Sequence, residues 1–131
     1  MLQTYEYIPK PEVVTKEYSR DILAQYYERK WNPNKDTVAS VKSWRDWPMI
    51  VRMPDIQTDY TVMVNEGLVL TTTIGLPPQP RILLIMLSET MQRIYYDETT
   101  SAIETIAGRI KIRGNEVERR RLLAAISYLT W

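Results

Sequence analysis

Apolar and polar positions along the chain fall into a few distinct periods. Between residues 15 and 31, Tyr18, Ile22 and Tyr26 form one stripe, and Leu23, Tyr27 and Trp31 lie beside it at the same spacing of four. That period predicts an amphipathic helix. Glu17 and Asp21 toward its start and Arg29 and Lys30 toward its end suit the helix dipole, and Pro33 stops it. Val38, Val41 and Trp44 at spacing three predict a short second helix, with Asp36 or Thr37 as its cap. The period then changes to two. Pro48 opens a strand over residues 49–53, Pro54 and Asp55 turn the chain, and Tyr60, Val62 and Val64 alternate with Thr61 and Met63 in a strand over 59–65. Asn65, Glu66 and Gly67 make a tight turn, with Gly67 suited to a left-handed conformation, before a third strand over 68–74. Three strands joined by short turns predict an antiparallel meander.

Residues 75–80, rich in proline, lead to an unbroken apolar run at 82–87, which predicts a fourth strand covered on both faces. Ser88 is placed to cap a short helix, and Ser101 with Glu104 three residues on fits a capping box opening another, which ends at Gly108. Ile110 and Ile112 alternate with Arg109, Lys111 and Arg113 between Gly108 and Gly114: a half-buried strand with a cationic outer face. After Asn115, Leu122, Ala125, Ile126 and Leu129 define one face of a final helix. The whole reads as one α+β domain over residues 1–131. Its predicted core is a five-stranded, mostly antiparallel sheet with helices packed on one face. Residues 1–14, with Pro9 and Pro11, read as an extended arm that Tyr5, Tyr7 and Ile8 could pin to the body.

Composition narrows the chemistry. The chain has 44% hydrophobic and 25% charged residues and a net charge of +1, from 17 basic and 16 acidic side chains, so bulk charge gives no argument for nucleic acid. Cysteine and histidine are absent, which removes thiol chemistry, the commonest general base and the commonest metal ligand. Asp97, Glu98 and Glu104 come nearest to a carboxylate pair, but side chains on a turn usually diverge, and Glu116 and Glu118 read as a solvated helix start. No Gly-rich phosphate loop follows a strand. Nothing in the sequence points to an enzyme, a metal or a cofactor. Arg109, Lys111 and Arg113, followed by Arg119, Arg120 and Arg121, read as solvated charge or as a transient contact with an anionic membrane surface. The first residues lack the pattern of a secretory signal and no apolar run reaches a membrane span, so a cytoplasmic protein is expected.

What remains is apolar binding. One strand face offers Val62, Val64, Leu70, Ile110 and Ile112; the short helices offer Met91, Ile94, Ile103 and Ile106; the last helix offers Leu122, Ile126 and Leu129. A solid core would use the same residues, and six methionines slightly favour an adaptable lining.

The apolar strand leading into a short helix, the second short helix, and the run from Gly108 to Asn115 entering an amphipathic helix resemble the sterol carrier protein (type two) family of lipid-binding domains. The resemblance covers roughly residues 59–129, about half of the chain. Family members commonly carry a glycine where the first short helix ends; here that neighbourhood reads Tyr95, Tyr96, Asp97, Glu98. The resemblance implies an apolar cavity of several hundred Å³ between sheet and helices, typical of ligand pockets. It also implies non-catalytic binding or transfer of a sterol-like lipid or fatty acyl chain, with the twelve residues above as its lining. The alternative is an oligomerisation or accessory module with a filled core, such as a homodimer. The last helix is expected to be the movable wall, being apolar over most of its circumference and free at one end.

Overall fold

The computed structural model describes residues 6–131. Thr15 caps the first helix, α1 (Lys16–Tyr26), its hydroxyl accepting from the Tyr18 N–H at 3.1 Å. The helix runs on as a wider π turn, Tyr27–Trp31, closed by the Asn32 N–H on the Tyr27 carbonyl at 2.9 Å. Both predicted stripes are buried. The π turn delivers Trp31 to the Gly67 carbonyl, to which its indole N–H donates at 2.8 Å. Helix α2 (Lys35–Ser40) is capped by Asn34 rather than by Asp36 or Thr37. Thr37 is instead drawn into the core, its hydroxyl donating to the Ala125 carbonyl at 2.8 Å.

Strands β1 (Trp47–Met53), β2 (Thr58–Asn65) and β3 (Leu68–Ile74) form the antiparallel meander, with a 3-10 turn, Pro54–Ile56, between the first two. Glu66 and Gly67 turn β2 into β3 with φ of 51° and 85°. A side chain at Gly67 would also collide with the Val38 backbone, so this turn admits only glycine. Strand β4 (Ile82–Ile85) lies parallel to β1, and β5 (Lys111–Gly114) is antiparallel to β4, giving the order β3-β2-β1-β4-β5. The apolar run at 82–87 is therefore internal, but only Ile82, Leu84 and Met86 are buried; Leu83 and Ile85 are half-buried on the opposite face and Leu87 is exposed.

Helices α3 (Ser88–Tyr95), α4 (Ser101–Ile106) and α5 (Glu116–Ser127) complete the chain. Two expected caps are displaced. Ser88 is the first residue inside α3, and its N–H is capped from the 3-10 turn by the Asp55 carboxylate at 2.9 Å. In α4 the cap is Thr100, one residue before the expected capping box, and Glu104 is turned inward. Asn115 caps α5, accepting from the Glu118 N–H at 2.9 Å.

The N-terminal arm from residue 6 to 14 has no regular structure and is pinned at the end of α3; Tyr5 lies outside the described residues. Ile8 receives the Tyr96 hydroxyl on its carbonyl and gives its N–H to the Tyr95 hydroxyl at 2.8 Å. Tyr7 packs edge-on to Tyr95 at 5.5 Å and donates to Asp97. Asp97 itself takes φ +60°, the left-handed conformation that glycine adopts most easily and aspartate tolerates. The tyrosines at the end of α3 are thus the anchorage of the arm.

Candidate functional site

The face of the sheet formed by Met49, Val51, Tyr60, Val62, Val64, Ile82 and Leu84 is buried. Between it and the helices lies a void of about 20 Å³, ringed chiefly by Leu23, Tyr27, Trp31, Leu84, Met86 and Met91, with Ser101 as its polar member. That is room for about one water, not for a ligand needing several hundred Å³. The expectation of a preformed apolar cavity is corrected here. Trp31, Tyr26 and Tyr27, which periodicity placed on the helix, fill the space.

The predicted lining residues divide accordingly. Met91, Ile94, Ile110, Ile126 and Leu129 border the void. Val62, Val64 and Leu122 are fully buried in packing away from it, and Ile112 is half-buried. Three others face solvent. Leu70 is exposed because the register shifts between Met63 and Val64: Val64 pairs with Val69 and Met63 with Thr71, so Leu70 is the unpaired bulge residue. Ile103 and Ile106 are exposed, the latter by 88%, because α4 buries Ser101, Ala102 and Glu104 instead. The Tyr26 and Ser101 hydroxyls share a hydrogen bond, and the Ala102 N–H donates to the Leu129 carbonyl at 3.2 Å. Those ties fix which face of α4 turns inward.

Two glutamates that the sequence reading left near solvent are structural. Glu104 is 0% exposed and accepts from Arg93 at 2.9 Å and from the Arg109 Nε at 2.8 Å. Its backbone carbonyl also receives the Arg109 and Ile110 N–H groups at 2.9 and 3.2 Å, which sets the turn into β5. Glu118 accepts from the Trp44 indole N–H and from Arg121 at 2.8 Å. Asp97 is held by Tyr7 and by Lys30 at 3.2 Å, so each of these carboxylates has its own partners rather than another acid. Arg109, Lys111 and Arg113 all lie on the surface, as the strand register required.

Helix α5 is not a loose wall. The Thr37 hydroxyl donates to the Ala125 carbonyl, Asn34 donates to the Tyr128 carbonyl at 2.9 Å, and the Ala102 N–H donates to the Leu129 carbonyl. Lys30 also sits over the Trp131 ring at 4.0 Å. Leu123, Tyr128 and Trp131, the apolar residues off its stripe, are exposed.

A larger opening lies at the end of β4. It measures about 320 Å³, and is lined by Pro54, Ile85, Met86, Leu87, Thr90, Gly108, Arg109 and Lys111. Met86 borders both this groove and the interior void.

Burial of the tyrosines carries a pH consequence. Desolvation pushes Tyr60 up to about 12, and burial drives Tyr26 and Tyr27 higher. Unfolded tyrosine ionises near 10. Above that pH the unfolded chain binds fewer protons than the folded one, so stability that is complete below pH 10 is lost as the pH rises through the folded values. Urea midpoints are expected to hold from pH 8 to about 9.5 and to fall steadily toward about pH 12. A flat profile across that range would contradict the buried placement of these rings.

Element order and strand order together define an α+β fold built on a five-stranded, mostly antiparallel sheet. No family model matches the chain, and no curated protein matches it by sequence. Solved structures do match in fold. Palmitated SCP2L2 from Aedes aegypti superposes with a TM-score of 0.55 at 16% identity, over 84% of this chain and 95% of that one. The UbiJ-SCP2 ubiquinone synthesis protein gives 0.53 at 11% identity, over 88% of this chain and 96% of that one. A double mutant of the sec-alkyl sulfatase PisA1 gives 0.53 at 16% identity over 90% of this chain, which spans only 17% of the sulfatase. Among the described residues no helix is long and apolar enough to cross a membrane.

Proposed function

We propose that the chain is a single non-catalytic domain that binds an elongated apolar ligand, a fatty acyl chain or sterol-like lipid, at a site closed when empty. The observation that carries this reading is the apolar void where the sheet meets α1, α3 and the C-terminal residues, in a fold shared with a protein solved in palmitated form. Met91, Ile94, Ile110, Ile126 and Leu129 are the proposed contacts, with Met86 and Met91 as the side chains best able to rearrange. An acyl chain leaving water gains roughly 0.8 kcal/mol per methylene, which offsets displacement of packed side chains. Binding of this kind needs no acid, base or metal.

A second reading is favoured by the size of the void. A filled interior, with a void of only about 20 Å³, suits an accessory or oligomerisation module, and a matching neighbour is a ubiquinone synthesis protein. Native mass spectrometry with titration of a fluorescent fatty acid separates the two. Saturable binding, or a co-purifying lipid, is the expected result. A lipid-free dimer that leaves the probe unbound overturns the first reading in favour of the second.

A further inference from the structure

The groove at the end of β4 and the interior void share one lining residue, Met86. Met86 is 5% exposed and contributes to both surfaces. Its backbone is fixed, since the Met86 N–H donates to the Arg52 carbonyl at 3.0 Å, so the element free to move is the thioether chain itself. Methionine is unbranched, with three rotatable bonds, and changes rotamer at little cost. Turning it aside would join a void of about 20 Å³ to an open groove of about 320 Å³ without moving a helix. The combined space falls in the range of ligand pockets.

The groove is amphiphilic. Pro54, Ile85 and Leu87 supply apolar surface, and Arg109 and Lys111 supply the charge. Lys111 and Ile85 are cross-strand partners, which sets the ammonium beside the apolar floor. Lys111 has no ion-pair partner among the described residues, and Arg93 and Arg109 share the single carboxylate of Glu104, leaving that trio with net positive charge. Glu104 also orients Arg109 through its Nε at 2.8 Å. A surface of this composition is complementary to an anion attached to a hydrocarbon chain.

We propose that this groove is the mouth of the binding site, that Met86 is its gate, and that the ligand is a single-chain amphiphile with an anionic headgroup, carboxylate or phosphate, held by Arg109 and Lys111. The inference rests on the lipid-binding reading and adds the headgroup class and the route of entry. The chain of such a ligand runs past Met86 toward Met91 and Ile110, while its headgroup stays at the surface.

Binding of palmitate, hexadecyl phosphate and uncharged hexadecanol to the full chain, each by displacement of a fluorescent fatty acid, tests it. Palmitate or hexadecyl phosphate should bind about tenfold or more tighter than hexadecanol, as a charged hydrogen-bonded contact provides, and which of the two binds tighter identifies the headgroup. Lys111→Glu, at an exposed position, should abolish that preference, weakening the two anions far more than it weakens hexadecanol. Met86→Ile, stiffer at its branched Cβ and close in volume, should slow association severalfold with little change in melting temperature. Equal binding of all three ligands, unaffected by Lys111→Glu, overturns the inference and leaves the lipid-binding reading standing. Binding of none of them overturns both.

Discussion

Replacing Arg93 and Arg109 together by methionine will destabilise the fold by about 3–5 kcal/mol, the cost of stranding a buried charge. The asymmetry of the cluster makes this the expected order. Glu104 is 0% exposed, whereas the two arginine side chains are 38% and 48% exposed. Removing the acid, as in Glu104→Leu, leaves two cations that water can reach, and should cost less, about 1–3 kcal/mol. Removing the arginines leaves a carboxylate that water cannot reach. Removing all three charges should restore much of the loss, because apolar side chains fit a buried site without a desolvation penalty. Urea unfolding of the double, single and triple variants gives the comparison. A double variant less than about 1 kcal/mol below the parent, on the scale of exposed ion pairs, would mean that Glu104 reaches solvent. The backbone adds to the expectation. The Glu104 carbonyl anchors the Arg109 and Ile110 N–H groups, so a displaced glutamate would also loosen the turn into β5.

That cluster marks the boundary of what hydrophobic patterning can convey. The strands, and the helices built on stripes such as Tyr18–Ile22–Tyr26 and Leu122–Ile126–Leu129, were legible because a single period decides which face is apolar over several turns. Helix α4 has six residues, and two competing faces fit it: Ile103 with Ile106, or Ser101 with Ala102 and Glu104. Apolar preference selects the first. The structure selects the second, because Arg93 and Arg109 arrive from α3 and the turn before β5 to satisfy the glutamate. Leu70 failed for a related reason: a bulge displaces the alternation by one residue, and a bulge leaves no mark when its flanks are Val69 and Thr71. The cavity was illegible on different grounds. A packed core and a lipid lining draw on the same residue types, and the difference lies in whether Trp31, Tyr26 and Tyr27 point into the space. The π turn that aims Trp31 at Gly67 has no sequence signature of its own.

The closed interior also changes what can be asked of the C-terminal helix. Deleting residues 122–131 is expected to abolish cooperative folding rather than to open a gate. Leu122, Ile126 and Leu129 are 0–4% exposed, and burial of each contributes about 1.5–3 kcal/mol. Together that is roughly 5–9 kcal/mol, comparable to the whole stability of an ordinary domain, about 5–15 kcal/mol. The deletion would also orphan the Thr37 hydroxyl, the Asn34 amide and the Ala102 N–H, which now pair with the carbonyls of Ala125, Tyr128 and Leu129. The single substitution Leu129→Ala is the gentler probe. It should cost about 2–5 kcal/mol and yield a folded protein with an enlarged void, since Leu129 borders the existing one. In thermal melts followed by circular dichroism, the truncated chain should show no sigmoidal transition and Leu129→Ala a lowered one. A truncated chain that melts cooperatively within a few degrees of the full chain would show that α5 contributes little to the core, and would return it to the role of a movable wall.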